Sequence, residues 1–326
     1  MGARLRPEDV ERARTVLAPH RLETPLRGSL AVPGADVRLK LECWQPTGSF
    51  KVRGATHFLA SLGDEERRRG VVAASAGNHA LGVAFAASRL KGKLSVTLFV
   101  PRTAPRAKVE KLRRFPVEVR ETGESYDDAA EAATAFQRET GATFLHAFED
   151  VRTAAGQGTV GLEILDACPD VGTIVVPVGG GGLIAGIATV AKARAPRVRI
   201  VAVQPTASPS LAESLRLGRP LLTYPAGPTL ADGIAGGIGE IAFDHRDLVD
   251  EVVNVTEDEI AEAMVALLAA DQVVAEAAGA VGVAALRSGK VTARGPAVAV
   301  ITGGNVDAGV LARLLAERHP GGGSRP

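Results

Sequence analysis

Short apolar runs of strand length alternate along this chain with longer stretches whose apolar residues recur with a period near 3.6. The apolar runs predict β-strands at residues 37–41, 71–74, 95–100, 117–121, 173–178, 199–204 and 297–302. The periodic stretches predict helices at residues 55–62, 81–90, 106–115, 126–139, 158–167, 183–193, 257–269 and 310–317. Strands that alternate with helices in this way are typical of an α/β protein with parallel sheets.

The composition indicates a globular chain with an excess of glycine. Of 326 residues, 37 are glycine and 46% are apolar, so the chain can bury a large core while its glycines serve particular backbone positions. The net charge of +1 provides no field that would attract nucleic acid. Cys43 and Cys168 are too few for a disulfide framework or a zinc site, and the histidines have no metal-ligand spacing. We therefore expect a cytoplasmic protein that holds no metal.

One uncharged stretch, residues 171–191, approaches the length of a membrane span. Pro177 and four consecutive glycines lie in its middle and would break a lipid-exposed helix, so we expect no membrane association. The N-terminus lacks the apolar core of a signal peptide. The last residues, 320–326, are predicted to form a flexible tail.

Glycine-rich turns follow three of the predicted strands, at residues 75–79, 179–183 and 302–305. In open parallel sheets, ligands bind beyond the carboxyl ends of the strands. Small residues at such a junction expose backbone N–H groups at a helix N-terminus, which suits a phosphate or a carboxylate. Any one of these segments could be an ordinary tight turn, but three together favour a binding site.

The four-glycine turn partly matches a dinucleotide-binding pattern, with Gly180, Gly182 and Ala185 at its small positions. That pattern requires an acidic residue at the end of the next strand to bind the ribose, and the residue there is Gln204. The turn therefore favours a bare phosphate. An NAD-linked dehydrogenase remains the alternative from a different functional class.

Lys51 lies where Gly48 and Ser49 can open a helix, and it is flanked by Phe50 and Val52. A lysine is disfavoured at a helix N-terminus, and a desolvated lysine can act as the nucleophilic amine of a Schiff base. The alternative is a solvated surface lysine. Together with a phosphate turn, Lys51 suggests a phosphorylated aldehyde cofactor.

Six segments, in order along the chain, resemble the pyridoxal-phosphate enzymes of the β-family (fold type II), in the threonine/serine dehydratase and serine racemase group. The segments are Ser49-Phe50-Lys51 with Arg53-Gly54-Ala55, residues 75–79, Ala155-Gly156-Gln157-Gly158-Thr159, residues 179–183, Ala231-Asp232-Gly233, and residues 302–306. The resemblance implies a tryptophan-synthase-β-like fold with two parallel-sheet domains and the cofactor in the cleft between them. It implies a large domain of residues 1–69 and 150–326, a small domain of residues 70–149, and a homodimer or homotetramer.

The resemblance also implies a role for each matching residue. Lys51 would form the Schiff base with pyridoxal 5'-phosphate, Asn78 would bind the phenolic oxygen, and Thr302 would meet the pyridine nitrogen. Glu276 would face the cofactor, although it could also be a solvated glutamate at a helix N-terminus. The other cofactor contacts would be Phe50, Gly179, Gly180, Gly181, Gly182 and Leu183. The substrate carboxylate would be bound by Ser75, Ala76, Gly77, Asn78 and His79.

The implied activity is the elimination of water from L-threonine or L-serine, with Lys51 as the base at Cα, giving a 2-oxo acid and ammonia. Alternatives with the same cofactor are a serine racemase and a dehydratase of another 3-hydroxy amino acid such as 3-hydroxyaspartate. A non-catalytic relative is a further alternative, disfavoured by the intact Lys51. The sequence does not rank threonine against serine.

Three departures from the family refine this expectation. Racemases have a serine that acts on the second face of Cα at the position of Ala76, so we expect racemisation to be slow or absent. Tyr126 stands where relatives that bind a second carboxylate have an arginine. Gln204, Ser208 and Ser210 leave the family's divalent-cation site without carboxylates, so we expect no firmly bound Mg²⁺ or Ca²⁺.

Overall fold

The computed structural model describes residues 4–104 and 106–318, so the tail predicted at residues 320–326 lies outside the described part. Within it, the strands are β1 Leu26–Gly28, β2 Val37–Lys40, β3 Val71–Ala74, β4 Val96–Val100, β5 Glu118–Glu121, β6 Thr143–Phe144, β7 Thr173–Pro177, β8 Arg199–Pro205, β9 Glu251–Val255 and β10 Ala297–Val300. The helices are α1 Pro7–Leu17, α2 Lys51–Ala60, α3 Asp64–Arg69, α4 Asn78–Arg89, α5 Arg106–Leu112, α6 Tyr126–Thr140, α7 Val151–Ala167, α8 Gly182–Arg194, α9 Ser210–Leu217, α10 Glu240–Asp244, α11 Glu257–Asp271, α12 Ala277–Arg287 and α13 Ala308–Arg318.

The strands form two sheets. The larger has the order β1-β2-β10-β7-β8-β9, and the smaller has the order β5-β4-β3-β6. All pairings are parallel except that of β1 with β2, in which Leu26 opposes Lys40. The α/β class with parallel sheets is therefore confirmed, with one antiparallel strand at the edge of the larger sheet.

The central strands are buried on both faces, as is usual for parallel sheets. Every residue of β3, β4, β7 and β10 is buried. Helix α2 packs Phe58 and Leu59 into the same apolar cluster as β3 and β4 of the smaller sheet. No helix within the described residues is long and apolar enough to cross a membrane.

Helices α2, α7 and α8 lie in close contact, and glycines permit that contact. A Cβ on Gly54 of α2 would lie 2.7 Å from the carbonyl oxygen of Thr153 in α7. A Cβ on Gly186 of α8 would lie 2.6 Å from the Cα of Gly158, also in α7. Since real Cβ atoms do not approach so closely, these glycines determine the spacing of the three helices. Helices α2 and α8 carry Lys51 and the four-glycine turn at their N-termini, and α7 lies against both.

The predicted strands agree with β2, β3, β4, β5, β7, β8 and β10 to within two residues, and the predicted helices overlap α2, α4, α5, α6, α7, α8, α11 and α13. Helix α7 begins at Val151, earlier than predicted, because the Asp150 carboxylate accepts hydrogen bonds from the N–H groups of Arg152 and Thr153 and caps the helix. The sequence pattern did not predict β1, β6, β9, α1, α3, α9, α10 or α12. Strands β1 and β6 are too short for a periodic signal, and α12 is apolar on all sides.

Candidate active site

A cavity of about 550 Å³ is lined by residues that follow β3, β7 and β10 and by the N-terminus of α2. Because β7 and β10 are neighbours in the larger sheet, their carboxyl ends bring the four-glycine turn and Thr302 to the same edge. Of the residues predicted for the site, those that line the cavity are Phe50, Lys51, Ser75, Gly77, Asn78, His79, Gly179, Gly180, Gly181, Gly182, Leu183, Glu276 and Thr302. Ala76 packs instead against the core of the smaller sheet.

Lys51 is the first residue of α2, and backbone contacts with the end of β10 hold it at the cavity. The Phe50 N–H donates to the carbonyl oxygen of Thr302 at 3.0 Å, and Ser49 pairs with Gly303 in an antiparallel bridge. The Lys51 amine donates to the carbonyl oxygen of Ala147 at 3.1 Å. Its Nζ lies 5.1 Å from the centroid of the Phe50 ring.

The Lys51 side chain is partly exposed along the cavity wall, but the removal of its amine from bulk water lowers its pKa from the usual 10.5 to about 8. Glu276 opposes this shift. At neutral pH the neutral, nucleophilic fraction of the amine is therefore raised by about two orders of magnitude. Burial, and secondly the Lys51 charge, lower the pKa of His79 to about 3 and that of His146 to about 4, so both rings are neutral.

A buried ionic cluster forms around Arg53, two residues after Lys51 in α2, and joins α2 to its neighbours. The Arg53 guanidinium donates two hydrogen bonds of 2.7 Å to the carboxylate of Glu42, which is fully buried. Arg53 also contacts Glu163 of α7, and Glu163 pairs with Lys40 of β2. Two cations and two carboxylates thus join β2, α2 and α7, so the start of α2 has little freedom to move.

The four-glycine turn forms a cradle at the N-terminus of α8. A Cβ on Gly180 would lie 2.3 Å from the ring of Phe148, and one on Gly182 would lie 2.8 Å from Oε1 of Gln157. Gly181 has a φ of +88°, which favours glycine, and a Cβ there would lie 2.3 Å from the side chain of Ala242. The backbone N–H groups and dipole of α8 suit an anion, so these residues fit the phosphate of the cofactor.

Glu276 and two asparagines form a hydrogen-bonded chain on the wall of the cavity. The Asn78 amide donates to Oε1 of Glu276 at 2.7 Å, and the Asn305 amide donates to Oδ1 of Asn78 at 2.7 Å. Burial raises the pKa of Glu276 to about 7, and the hydrogen bond from Asn78 opposes this rise. Because an amide has two N–H donors, Asn78 has a second N–H group available for another acceptor.

The loop after β3 and the end of β10 complete the cavity. The Gly77 N–H donates to the Ser75 hydroxyl at 3.1 Å, and Nε2 of His79 donates to the carbonyl oxygen of Leu145 at 3.0 Å. The Thr302 hydroxyl lies 3.4 Å from the carbonyl oxygen of Ala278, which is long for a hydrogen bond between oxygens. Thr302 can therefore turn towards another acceptor at little cost.

Several cavity residues were not predicted as site residues. Ala147, Phe148 and Gln157 face Lys51 and the glycine cradle, and residues 222–224 and 232–237 form another part of the wall. The segment of residues 145–150 has no periodic pattern that would have indicated Phe148. Gln157 and Asp232 lie in segments that resemble the family, and that resemblance was the available signal.

At Gln204, where we expect no divalent cation, the side-chain amide forms hydrogen bonds within the protein. The Gln204 amide donates to the carbonyl oxygen of Val178 and to the Ser210 hydroxyl, each at 3.1 Å, and its Oε1 accepts from the Leu211 N–H at 2.8 Å. Across residues 4–104 and 106–318, no group of three or more His, Cys, Asp or Glu side chains could hold a metal ion.

Comparisons with known proteins agree with this geometry. Residues 17–303 match the family described as "Pyridoxal-phosphate dependent enzyme". The chain is 47% identical to an L-threonine ammonia-lyase of Thermotoga maritima over 94% of this chain and 77% of that protein. It is 48% identical to an L-threonine ammonia-lyase of Geobacter sulfurreducens over 84% of this chain and 68% of that protein. The structure of maize serine racemase superposes with a TM-score of 0.89 at 34% identity, covering 98% of this chain and 99% of that one. The chain therefore belongs to the pyridoxal-phosphate dependent enzyme family.

Proposed function

We propose that this protein is an L-threonine/L-serine ammonia-lyase. The observation that carries the proposal is the placement of the Lys51 amine on the same cavity as the glycine cradle, the loop after β3, and Thr302. The two relatives that are 47% and 48% identical and bear the name L-threonine ammonia-lyase support this choice of reaction.

The cavity residues divide into those that would hold the cofactor and those that would hold the substrate. When bound, pyridoxal 5'-phosphate supplies a conjugated ring that accepts the electron pair released at the substrate Cα. The cradle from Gly179 to Gly182, with Leu183, would bind its phosphate through backbone N–H groups. Asn78 would donate to its phenolic oxygen, and Thr302 would meet its pyridine nitrogen. Phe50 and Glu276 would line the ring.

We infer that Lys51 performs the proton transfer at the substrate Cα. Its neutral amine takes the proton from the substrate Cα, and the β-hydroxyl then leaves with a proton as water. The backbone amides of residues 75–79 and the Ser75 hydroxyl hold the substrate carboxylate and so orient the Cα–H bond towards the lysine. The unsaturated amine that results hydrolyses to a 2-oxo acid and ammonia, which returns one water for the one released.

A serine racemase is the second candidate, because maize serine racemase shares the fold. Racemisation requires an acid or base on each face of Cα. Ala76, at the position of the racemase serine, has no titratable group, and its side chain packs against the core of the smaller sheet. Elimination is therefore favoured over racemisation, and a 3-hydroxyaspartate substrate is disfavoured by Tyr126 on the cavity wall.

The test is a product assay with the purified holoenzyme and L-threonine or L-serine. We expect a 2-oxo acid and ammonia in equal amounts, with D-serine forming much more slowly than pyruvate in a chiral separation. The Lys51→Ala variant should form neither product at a measurable rate. Racemisation of L-serine at a rate comparable to pyruvate formation would favour the second candidate, and turnover of neither amino acid would contradict both.

We further propose that residues 70–149 form the small domain, whose closure over the cavity would exclude water, and that residues 1–69 and 150–326 form the large one. The smaller sheet lies within the first range, although Phe58 and Leu59 of α2 share its core and favour an earlier boundary. A homodimer or homotetramer stays a prediction that light scattering checks. A reducing, cytoplasmic setting also stays a prediction, and Cys43 and Cys168 are both buried free thiols.

A further inference from the structure

Gln157 of α7 is a buried amide on the cavity wall that none of the roles above uses. Its side chain is 1% exposed, and its Nε2 donates to the carbonyl oxygen of Ala147 at 3.1 Å. The Lys51 amine donates to the same oxygen, also at 3.1 Å. A carbonyl oxygen has two lone pairs and can accept both bonds, so Gln157 and Lys51 are held by one atom.

The other polar atom of this amide has no partner. Oε1 of Gln157 is buried and accepts no hydrogen bond from any residue in the described part of the chain. A Cβ on Gly182 would lie 2.8 Å from it, so this acceptor lies beside the first residue of α8. A buried acceptor without a donor is unfavourable unless a bound group or a mobile donor supplies the missing hydrogen bond. Lys51 is the mobile donor of this cavity, because its amine must leave the Ala147 carbonyl in order to react.

We propose that Gln157 is a positioning residue for Lys51. Its N–H group fixes the Ala147 carbonyl that receives the free amine, and its Oε1 offers a second acceptor on the side of the glycine cradle. The amine thus moves between two fixed acceptors and stays within reach of the reacting carbon. This role rests on the proposed function of Lys51 as the base.

The charges that face Lys51 determine how substitutions of Gln157 should act. The negative charge of Glu276 partly opposes the fall in the Lys51 pKa that burial causes. His79 of α4 and His146, which follows β6, are neutral. A carboxylate at position 157 would add a second negative charge next to the amine and favour its protonated form. A methionine would keep the volume and remove both the donor and the acceptor.

The first test measures the reactivity of the Lys51 amine in the cofactor-free protein. Acetic anhydride at a series of pH values, followed by peptide mass spectrometry, gives the acylation rate of this lysine alone. In Gln157→Glu we expect the profile to move to higher pH by about one unit, which is about a five-fold lower rate at pH 8 and nearly a ten-fold lower rate at pH 7. Thr153→Val is the matched control, because it removes from the same helix a different buried polar atom without a partner, the Thr153 hydroxyl, which lies outside the cavity lining.

The second test uses the holoenzyme of Gln157→Met. We expect kcat to fall about ten-fold with KM changed less than about two-fold, because the substrate contacts remain while the base is less well positioned. An unshifted acylation profile in Gln157→Glu, or equal effects of Gln157→Met and Thr153→Val, would show that Gln157 serves packing alone. The acylation profile requires no turnover, so it tests the role of Gln157 independently of the proposed substrate and reaction.

Discussion

At the residue scale, the ionisation of Glu276 can be tested directly through the pH dependence of protein stability. Its pKa is raised from the usual 4.5 to about 7 by burial, so the folded protein binds a proton that the unfolded chain releases between these values. Stability is therefore lost as the pH rises from 4.5 to 7. At pH 8 the charged carboxylate should cost the cofactor-free protein about 3 kcal/mol of stability.

Glu276→Gln removes that charge and keeps an acceptor for the Asn78 amide. We expect the variant to match the wild type near pH 4.5 and to be more stable by about 3 kcal/mol at pH 8, measured by urea denaturation of the cofactor-free proteins. The exposed control Glu139→Gln should show no such divergence. A difference between Glu276→Gln and the wild type that does not change with pH would contradict the assignment of the raised pKa to Glu276.

Gln204 provides a second prediction at this scale. Because its amide is fully occupied by Val178, Ser210 and Leu211, threonine turnover should be unchanged after treatment with EDTA and dialysis. A loss of activity that Mg²⁺ restores would show that a divalent cation binds after all.

Individual residues of the site could be predicted where their chemical role requires an unusual residue in the local sequence. Lys51 stands at a helix start that disfavours it, and Gly181 needs a positive φ. Phe148 and Gln157 have no such local signal, because Phe148 lies in the irregular segment before α7 and Gln157 reaches the cavity through the packing of α7 against α2 and α8. The ionic cluster of Arg53 was also beyond prediction, since its partners come from β2 and α7.

At the scale of elements, the contact between α7 and α8 determines where the cradle lies. A methyl group on Gly186 would lie 2.6 Å from the carbonyl oxygen of Ala154 and from the Cα of Gly158. Backbone cannot yield as a flexible side chain can, so Gly186→Ala must push α8 away from α7. We expect a loss of about 2–3 kcal/mol of stability and weaker binding of the cofactor phosphate, measured by urea denaturation and cofactor titration.

Gly282 of α12 provides the matched control for that substitution. A Cβ there would meet its nearest neighbour, a methyl group of Val175, at 3.4 Å, which is an ordinary contact. Gly282→Ala should be neutral or stabilise the protein by up to about 1 kcal/mol, because alanine has the higher helix propensity. Equal losses in Gly186→Ala and Gly282→Ala would indicate that the α7–α8 spacing has no special role.

The alternation of strands and helices was enough to predict the α/β class, but not the complete sheets. Strand β9 contains Asn254 and Glu251 and so lacks the apolar run that identified β7 and β8. Strand β1 is three residues long and pairs antiparallel with β2 at the sheet edge, where a period of two cannot be recognised. These strands form because they hydrogen-bond to neighbouring strands, and such pairing cannot be recognised from the local sequence.

At the scale of the whole molecule, four separate parts of the chain meet at one cavity: the start of α2, the loop after β3, the carboxyl end of β7 and the carboxyl end of β10. The protein carries a net charge of +1, so we expect a phosphate and a carboxylate to be held here by backbone N–H groups and not by a basic surface. This cavity also explains part of the excess of glycine, because the glycine cradle and the close contacts between α2, α7 and α8 leave no room for a Cβ.

We propose Lys51 as the residue to which the cofactor becomes covalently attached. The most direct measurement is borohydride reduction of the yellow holoenzyme, followed by proteolysis and peptide mass spectrometry. We expect a reduced pyridoxyl-phosphate group on the peptide that contains Lys51 and on no other lysine, and we expect none in Lys51→Ala. A label on another lysine, or a protein that binds pyridoxal 5'-phosphate without a reducible bond, would contradict it.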